Sequence, residues 1–296
     1  MQLLDGEKTS KEIKNEVQSE VAKYVAEGYR SPHLAAVLVG SNPASQSYVS
    51  HKIKDCEKVG FKSTLHQFDE NVTEEELLNL IEELNDQEGL DGYIVQLPLP
   101  KHMNEDKFIQ AIDPLKDADG FHPTNLGRML LGLPSYLPAT PYGIMELLDR
   151  YKIETDGKHC VVLGRSNIVG RPISIMLGLK GNPGNATVTL CHSRTKNLQD
   201  FTLHADIIIA ALGIPQFLKS DMIKEGAVIV DVGINRVDDI NSKKGFKLVG
   251  DVDFESIKEK ASFITKVPGG VGPMTRAMLL KNTLHAYKRN YLKLED

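Results

Sequence analysis

The feature that most constrains this chain is an alternation that runs through it twice. Short apolar runs of strand length are each followed by a stretch with apolar residues at helical spacing. In the first half, His33 to Gly40 (HLAAVLVG) and Tyr93 to Leu97 (YIVQL, halted by Pro98) read as buried strands, and Phe61 to Phe68 alternates as a half-buried one. Helices are predicted over 8–27, 45–59, 73–87 and 104–112. In the second half the predicted strands are 159–164, 186–192, 206–212, 227–233 and 263–267. The helices there are 171–180, 198–204, 217–224, 254–258 and a long final one, 275–289, with a short segment near Val249. Strands joined by helical crossovers pair in parallel, so the fold class is α/β with parallel sheets.

Between the halves lies 113–141, DPLKDADGFHPTNLGRMLLGLPSYLPATP, rich in Pro, Gly and Asp and without a period. A structureless stretch of that length joins domains or carries function. The expected division is 1–141 plus 275–296 for one domain and 142–274 for the other, with the C-terminal helix returning to the first. A chain of 296 residues with 41% apolar content can fill two cores. Its net charge of −5, with Lys and Arg spread along the chain, argues against a nucleic-acid partner. No apolar run reaches the ~20 residues of a membrane span, and the N-terminus lacks a secretory pattern, so no membrane partner is expected. Cys56, Cys160 and Cys191 fit neither a disulfide framework nor a metal site, which implies a reducing, cytoplasmic setting and no metal.

Residues 161–172, VVLGRSNIVGRP, read as a strand, a tight turn at Gly164 and a helix start. That is the architecture that presents backbone N–H groups and a helix dipole to a diphosphate. The spacing departs from the common glycine fingerprint, since Ser166 stands where a second Gly is usual. The next strand ends Leu190-Cys191-His192-Ser193-Arg194, with no carboxylate to take a ribose hydroxyl. Ser193, Arg194 and Arg165 suit a 2′-phosphate instead, which favours NADP over NAD.

Ligands of open parallel sheets sit beyond the carboxyl ends of the strands. After the first strand come Ser45, Tyr48 and Lys52, the last two at i and i+4 on one helix face. Gln96 interrupts the apolar run Val95-Gln96-Leu97 and, if buried, needs a partner that Lys52 could supply. Asp117, Asp119 and His122 follow in the loop. The residues alone leave three readings open: an enzyme with a proton-transfer step, a dehydrogenase lacking one, and a non-catalytic dinucleotide-binding protein.

Longer motifs carry a resemblance. Tyr48-Val49-Ser50-His51-Lys52, Val95-Gln96-Leu97-Pro98-Leu99-Pro100, Lys116-Asp117-Ala118-Asp119-Gly120-Phe121, residues 164–170, Cys191-His192-Ser193 and residues 268–275 occur in order along the whole chain. With them the sequence resembles the bifunctional methylenetetrahydrofolate dehydrogenase/methenyltetrahydrofolate cyclohydrolase (FolD) family. The resemblance implies oxidation of 5,10-methylenetetrahydrofolate by NADP⁺ and hydrolysis of the methenyl product to 10-formyltetrahydrofolate. It implies a folate-binding catalytic domain, a Rossmann-type NADP domain and a homodimer. By the same resemblance Lys52 serves the cyclohydrolase step, Gln96 interacts with it, Tyr48 lies against the folate and Asp119 holds the pterin. Val95, Leu97 and the loop Pro268, Gly269, Gly270, Val271, Gly272 would border the folate, and Gly164, Arg165, Ser166, Ser193 and Ile234 the NADP. One departure is Pro138-Ala139-Thr140-Pro141, where the family often has Cys in the second place.

Overall fold

A computed structural model describes residues 1–240, 242 and 245–294. In chain order they form β1 (Gln2–Leu4), α1 (Gly6–Ala26), β2 (His33–Val39), α2 (Pro43–Val59), β3 (Lys62–Phe68), α3 (Glu74–Asp86), β4 (Gly92–Val95), α4 (Glu105–Ala111), α5 (Pro123–Leu130) and α6 (Ala139–Arg150). These are followed by β5 (His159–Leu163), α7 (Gly170–Gly178), β6 (Thr187–Cys191), α8 (Leu198–Thr202), β7 (Ile207–Ala210), β8 (Val228–Asp231), β9 (Asn235–Asp238), β10 (Phe246–Val249), α9 (Phe254–Ile257), β11 (Phe263–Thr265) and α10 (Val271–Ala286).

One compact unit comprises Lys11–Ala139 and the chain from Arg276 onward. Its sheet has the order β3-β2-β4 and is parallel throughout, with Val37 opposite Val95 and His66. All seven residues of β2 are buried, as a central strand covered on both faces requires. Ala35, Val37, Tyr93 and Val95 pack with Leu77, Ile81 and Leu84 of α3 and Phe108 of α4. Asn42 caps α2 by accepting from Ala44 N and Ser45 N, with Pro43 in the first turn, and Thr73 and Glu76 form a reciprocal capping box on α3. The chain after α4 returns alongside β4: Tyr93 N donates to Lys116 O at 2.9 Å, and Tyr93 bridges Asp117 in parallel. Because that pairing is parallel, Asp119 is carried to the end of β4 where Gln96 lies. The C-terminal part of α10 packs in this unit, with Asn282 Nδ2 donating to Ala118 O (2.9 Å) and Leu137 O (2.8 Å).

The other unit comprises Met1–Ser10 and Thr140–Thr275. Its sheet, β1-β11-β8-β7-β5-β6, is parallel at every pairing. Cys160 to Leu163, Ile207 to Ala210 and Val228 to Asp231 are all buried, so the centre of the sheet is covered on both faces. A separate antiparallel hairpin, β9–β10, pairs Asn235 with Val249.

The structure departs from sequence-based expectation in four places, each with a physical cause. Residues 1–10 belong to the second unit, because β1 adds to β11 and buries Leu4; a three-residue strand is too short to show a period. The stretch 113–141 is not structureless: α5 forms within it, started by Pro123 in the first turn and by His122 Nδ1 accepting from Thr124 N (3.0 Å). The helix expected over 217–224 is only a 3₁₀ turn, Ser220–Met222, because Leu218 is held extended by main-chain bonds to Asp251 and Asp253. The final helix begins at Val271, inside the expected glycine loop, and ends at Ala286 before a π turn.

Candidate active site

In the first unit the buried face of α2 presents Ser45, Val49, Lys52, Asp55, Cys56 and Val59. Lys52 is only 5% exposed, yet among the described residues its amine makes a single hydrogen bond, to Gln96 Oε1 at 3.3 Å. Asp119 Oδ1 stands 4.0 Å from it, and the Tyr48 ring centroid 4.9 Å. Gln96 sits directly after β4, where its main-chain N–H still donates to Val37 O (2.9 Å). Its Nε2 donates to Leu97 O at 2.7 Å, which fixes the rotation of the amide and turns Oε1 toward the amine. Thus Tyr48, Lys52, Gln96 and Asp119 come together at the carboxyl end of a parallel sheet, and the side chain of Val95 is buried behind them.

Burial pushes the Lys52 ammonium below the ordinary lysine range, and the Asp119 carboxylate works against that shift. Burial likewise pushes Asp119 upward, opposed by Lys52. The physical cause is common to both: a charge removed from water is disfavoured unless it is well paired, and 4.0 Å is a loose pair. Such an amine gives up its proton more readily than a solvated one. Cys56, one turn further along α2, has its thiol pushed up to about 12 by burial and so stays neutral.

Two expected members of the cluster are occupied elsewhere. The Asp117 carboxylate accepts from Gly120 N (3.0 Å), Phe121 N (3.2 Å), His122 N (2.8 Å) and Asn125 Nδ2 (2.9 Å), which makes it the organiser of the turn. His122 caps α5. Conversely, Asp55 was not anticipated. It lies three residues beyond Lys52 on the same helix face and accepts from Lys14 Nζ (2.9 Å) and Arg276 Nε (2.8 Å), pinning α2 to α1 and α10 within this unit. An acidic residue on the buried face of an amphipathic helix was the available signal.

In the second unit β5 ends at Leu163, in register with Cys191 of β6, so the segments after them leave neighbouring strands. Gly164 has φ +113°, and a Cβ there would overlap Ala211 O; a Cβ on Gly170 would overlap Gly164 O. These two glycines therefore let the turn close tightly between the strand and α7. Ser166 Oγ accepts from Val169 N (3.2 Å) and Gly170 N (3.3 Å), so the first helix donors, expected to be open, are capped by long hydrogen bonds. Arg165, Ser166, Ser193 and Arg194 are exposed, and neither guanidinium has a hydrogen-bond or ion-pair partner among the described residues. Exposed donors left unpaired beyond adjacent strand ends are a fit for phosphate oxygens. Ile234 is 58% exposed, and Gly272 lies against it. Pro268 is exposed, Gly270 and Val271 are buried, and Gly269 O accepts from Glu7 N (3.0 Å), which anchors that loop.

Known proteins give this geometry its context. A family model described as the catalytic domain of tetrahydrofolate dehydrogenase/cyclohydrolase matches residues 4–119. Its NAD(P)-binding counterpart matches 138–291. The bifunctional protein FolD of Flavobacterium johnsoniae is 64% identical over 293 residues, covering 99% of each chain. FolD of Bacteroides fragilis is 58% identical over 289 residues, covering 98% of this chain and 99% of its own. Among solved structures, the Campylobacter jejuni bifunctional FolD superposes with a TM-score of 0.92 at 50% identity, covering 98% of this chain and 99% of that one. The Trypanosoma brucei FolD, solved with NADP and an inhibitor, gives 0.91 at 38% identity and covers 97% of each.

Proposed function

This chain belongs to the tetrahydrofolate dehydrogenase/cyclohydrolase family, and on that premise we propose that it oxidises 5,10-methylenetetrahydrofolate with NADP⁺ and hydrolyses the methenyl product to 10-formyltetrahydrofolate, with Lys52 as the proton acceptor of the second step. The observation that carries the assignment is the buried, under-bonded amine of Lys52 held by Gln96 and facing Asp119.

The methenyl carbon is already electrophilic, so the hydrolytic step needs a positioned water and a base. Lys52 accepts a proton from the attacking water only as the free amine. Burial moves it toward that form, and the positive charge of the bound methenyl group moves it further. Gln96 keeps the amine aimed, since its own amide is locked by Leu97 O. The proton then passes from Lys52 to N5 as the bond from N5 to the former methenyl carbon breaks, and the remaining hydroxyl proton of the intermediate is released to solvent as the formyl carbonyl forms. Asp119 is the acceptor for polar N–H groups of the pterin, and the Tyr48 ring supplies a face for it to stack on. Val95 and Leu97 contribute apolar and main-chain surface to the folate subsite.

The dehydrogenase step requires no acid; NADP⁺, when bound, supplies the hydride acceptor, and the protein contributes positioning. Gly164, Arg165, Ser166, Ser193, Arg194 and Ile234 would hold it. The unpaired guanidinium groups of Arg165 and Arg194 support a 2′-phosphate and hence NADP over NAD. A homodimer in the cytoplasm completes the proposal, and three buried free thiols agree with a reducing compartment.

The test is to follow both reactions in the full chain and in Lys52→Gln and Lys52→Arg. Wild type should oxidise methylenetetrahydrofolate faster with NADP⁺ than with NAD⁺. Both variants should lose cyclohydrolase activity by about 10²–10⁴-fold, the usual worth of a positioned base. Undiminished hydrolysis in both would remove Lys52 from the mechanism.

A further inference from the structure

The carboxyl ends of β7 and β8 are tied together by two buried carboxylates that the reaction scheme does not use. Asp251, two residues past β10, is completely buried. Its Oδ2 accepts from Leu212 N (2.5 Å) and Gly213 N (2.9 Å), and its Oδ1 accepts from Asn235 Nδ2 (2.8 Å). Asp251 is in turn held by Asp231, the last residue of β8. Asp231 Oδ1 accepts from Asp251 N (2.9 Å) and Gly233 N (3.0 Å), and Oδ2 from Val252 N (3.1 Å). The fit is close: a Cβ on Gly233 would overlap the Asp251 carboxylate, and one on Gly250 the Asp231 carboxylate. Buried carboxylates persist only where several donors meet them, and here each meets three.

The place of this network follows from strand order. From β5 the chain goes first to β6 on one side, then to β7 and β8 on the other. The order therefore reverses at β5, and a dinucleotide lies across that point with its diphosphate at the turn after β5. The phosphate-binding side chains Ser193 and Arg194 lie beyond β6, so the adenosine half belongs there. The nicotinamide half then belongs beyond β7 and β8, where residues 211–213 and 233–235 leave the sheet. Ile234, flanked by two residues bonded to this network, is exposed in the second of those loops.

We propose that Asp251 is a positioning residue for the nicotinamide half of the bound dinucleotide: one carboxylate grips Leu212 and Gly213 on one loop and Asn235 on the other, and so sets the gap between them. This inference rests on the NADP reading above. It treats Asp231 as the support of Asp251.

The experiment is calorimetric titration of the apo full chain with NADP⁺ and, separately, with adenosine 2′,5′-bisphosphate, which is the adenosine half alone. Wild type, Asp251→Asn and Asn235→Ala are compared, with thermal melts to establish folding. Asp251→Asn should raise the NADP⁺ dissociation constant about tenfold, because charge-assisted bonds to two loops are lost. Its affinity for the bisphosphate should stay within about twofold of wild type. Asn235→Ala, which removes one bond from one loop, should raise the NADP⁺ constant about threefold with the same selectivity. Parallel weakening of both ligands, or of neither, overturns the inference. If Asp251→Asn does not fold, Asn235→Ala decides by the same criterion. A wild type that binds no NADP⁺ overturns the dinucleotide reading and this inference with it, whereas wild-type binding that Asp251→Asn leaves intact overturns the inference alone.

Discussion

Lys116 and Asp117 on one flank of β4, and Lys52 and Asp119 at its carboxyl end, use the same two side-chain types to opposite effect. The Lys116 amine spends all three protons on main-chain carbonyls at the end of α3: Leu84 O (3.0 Å), Asn85 O (2.6 Å) and Gln87 O (2.9 Å). Asp117 accepts four hydrogen bonds within its own turn. Lys52 makes one long bond, and the Asp119 carboxylate makes none among the described residues. Saturated polar groups have no capacity left for a ligand; they close the loop and the helix end. Under-bonded buried groups cost stability and keep donors and acceptors in reserve for substrate. Residue type therefore says little here; the number of partners separates the saturated pair from the pair proposed to do chemistry.

The contrast breaks or sharpens under mutation. The largest expected stability effect is in Asp117→Ala, which leaves four donors facing a void: about 3–5 kcal/mol in urea unfolding, the range for stripping one partner from a buried charged network. A loss below about 1 kcal/mol would mean that the turn does not depend on it. Lys116→Met comes next. Two carbonyls in the last turn of α3 and that of its cap residue Gln87 lose their donor, and unfolding free energy should fall by about 1–3 kcal/mol while the cyclohydrolase rate per folded molecule stays at the wild-type level. A rate that fell with the substitution would put Lys116 in the wrong class.

The smallest effect is the most specific. In Asp119→Asn the charge that opposes the downward shift of Lys52 is gone, so the amine should lose its proton at lower pH. In the proposed mechanism the free amine is the active form, so activity rises with pH through its titration. The rising limb of cyclohydrolase rate against pH should therefore move to lower pH, even as weaker folate binding raises KM. A limb that stays in place, or moves to higher pH, would show that the two groups are not coupled in this way.

Much of this was legible in the chain. The i, i+4 pair Tyr48 and Lys52 declared a shared face of α2, and Gln96 stood out as the one amide in an apolar run. The turn at Gly164 and the absence of a carboxylate after β6 pointed to a phosphate-bearing dinucleotide. Other parts were not legible. Asp117 and Asp119 are indistinguishable by type and spacing. Leu218 lies in a stretch that reads as helix until Asp251 and Asp253 claim its main chain. β1 has no period to detect.

From the chain alone came two parallel α/β units, the buried faces of the longer helices, and the strand-end positions where polar residues interrupt apolar runs. All of these follow from main-chain periodicity and from apolar burial, which act over a few residues. Only the tertiary structure decided which polar groups are satisfied. Lys52 meets Gln96 from 44 residues away, Asp251 meets Leu212 from 39, and Asp55 meets Arg276 from 221. A hydrogen bond is directional and short, so whether a buried charge is spent or held in reserve depends on where distant segments come to rest.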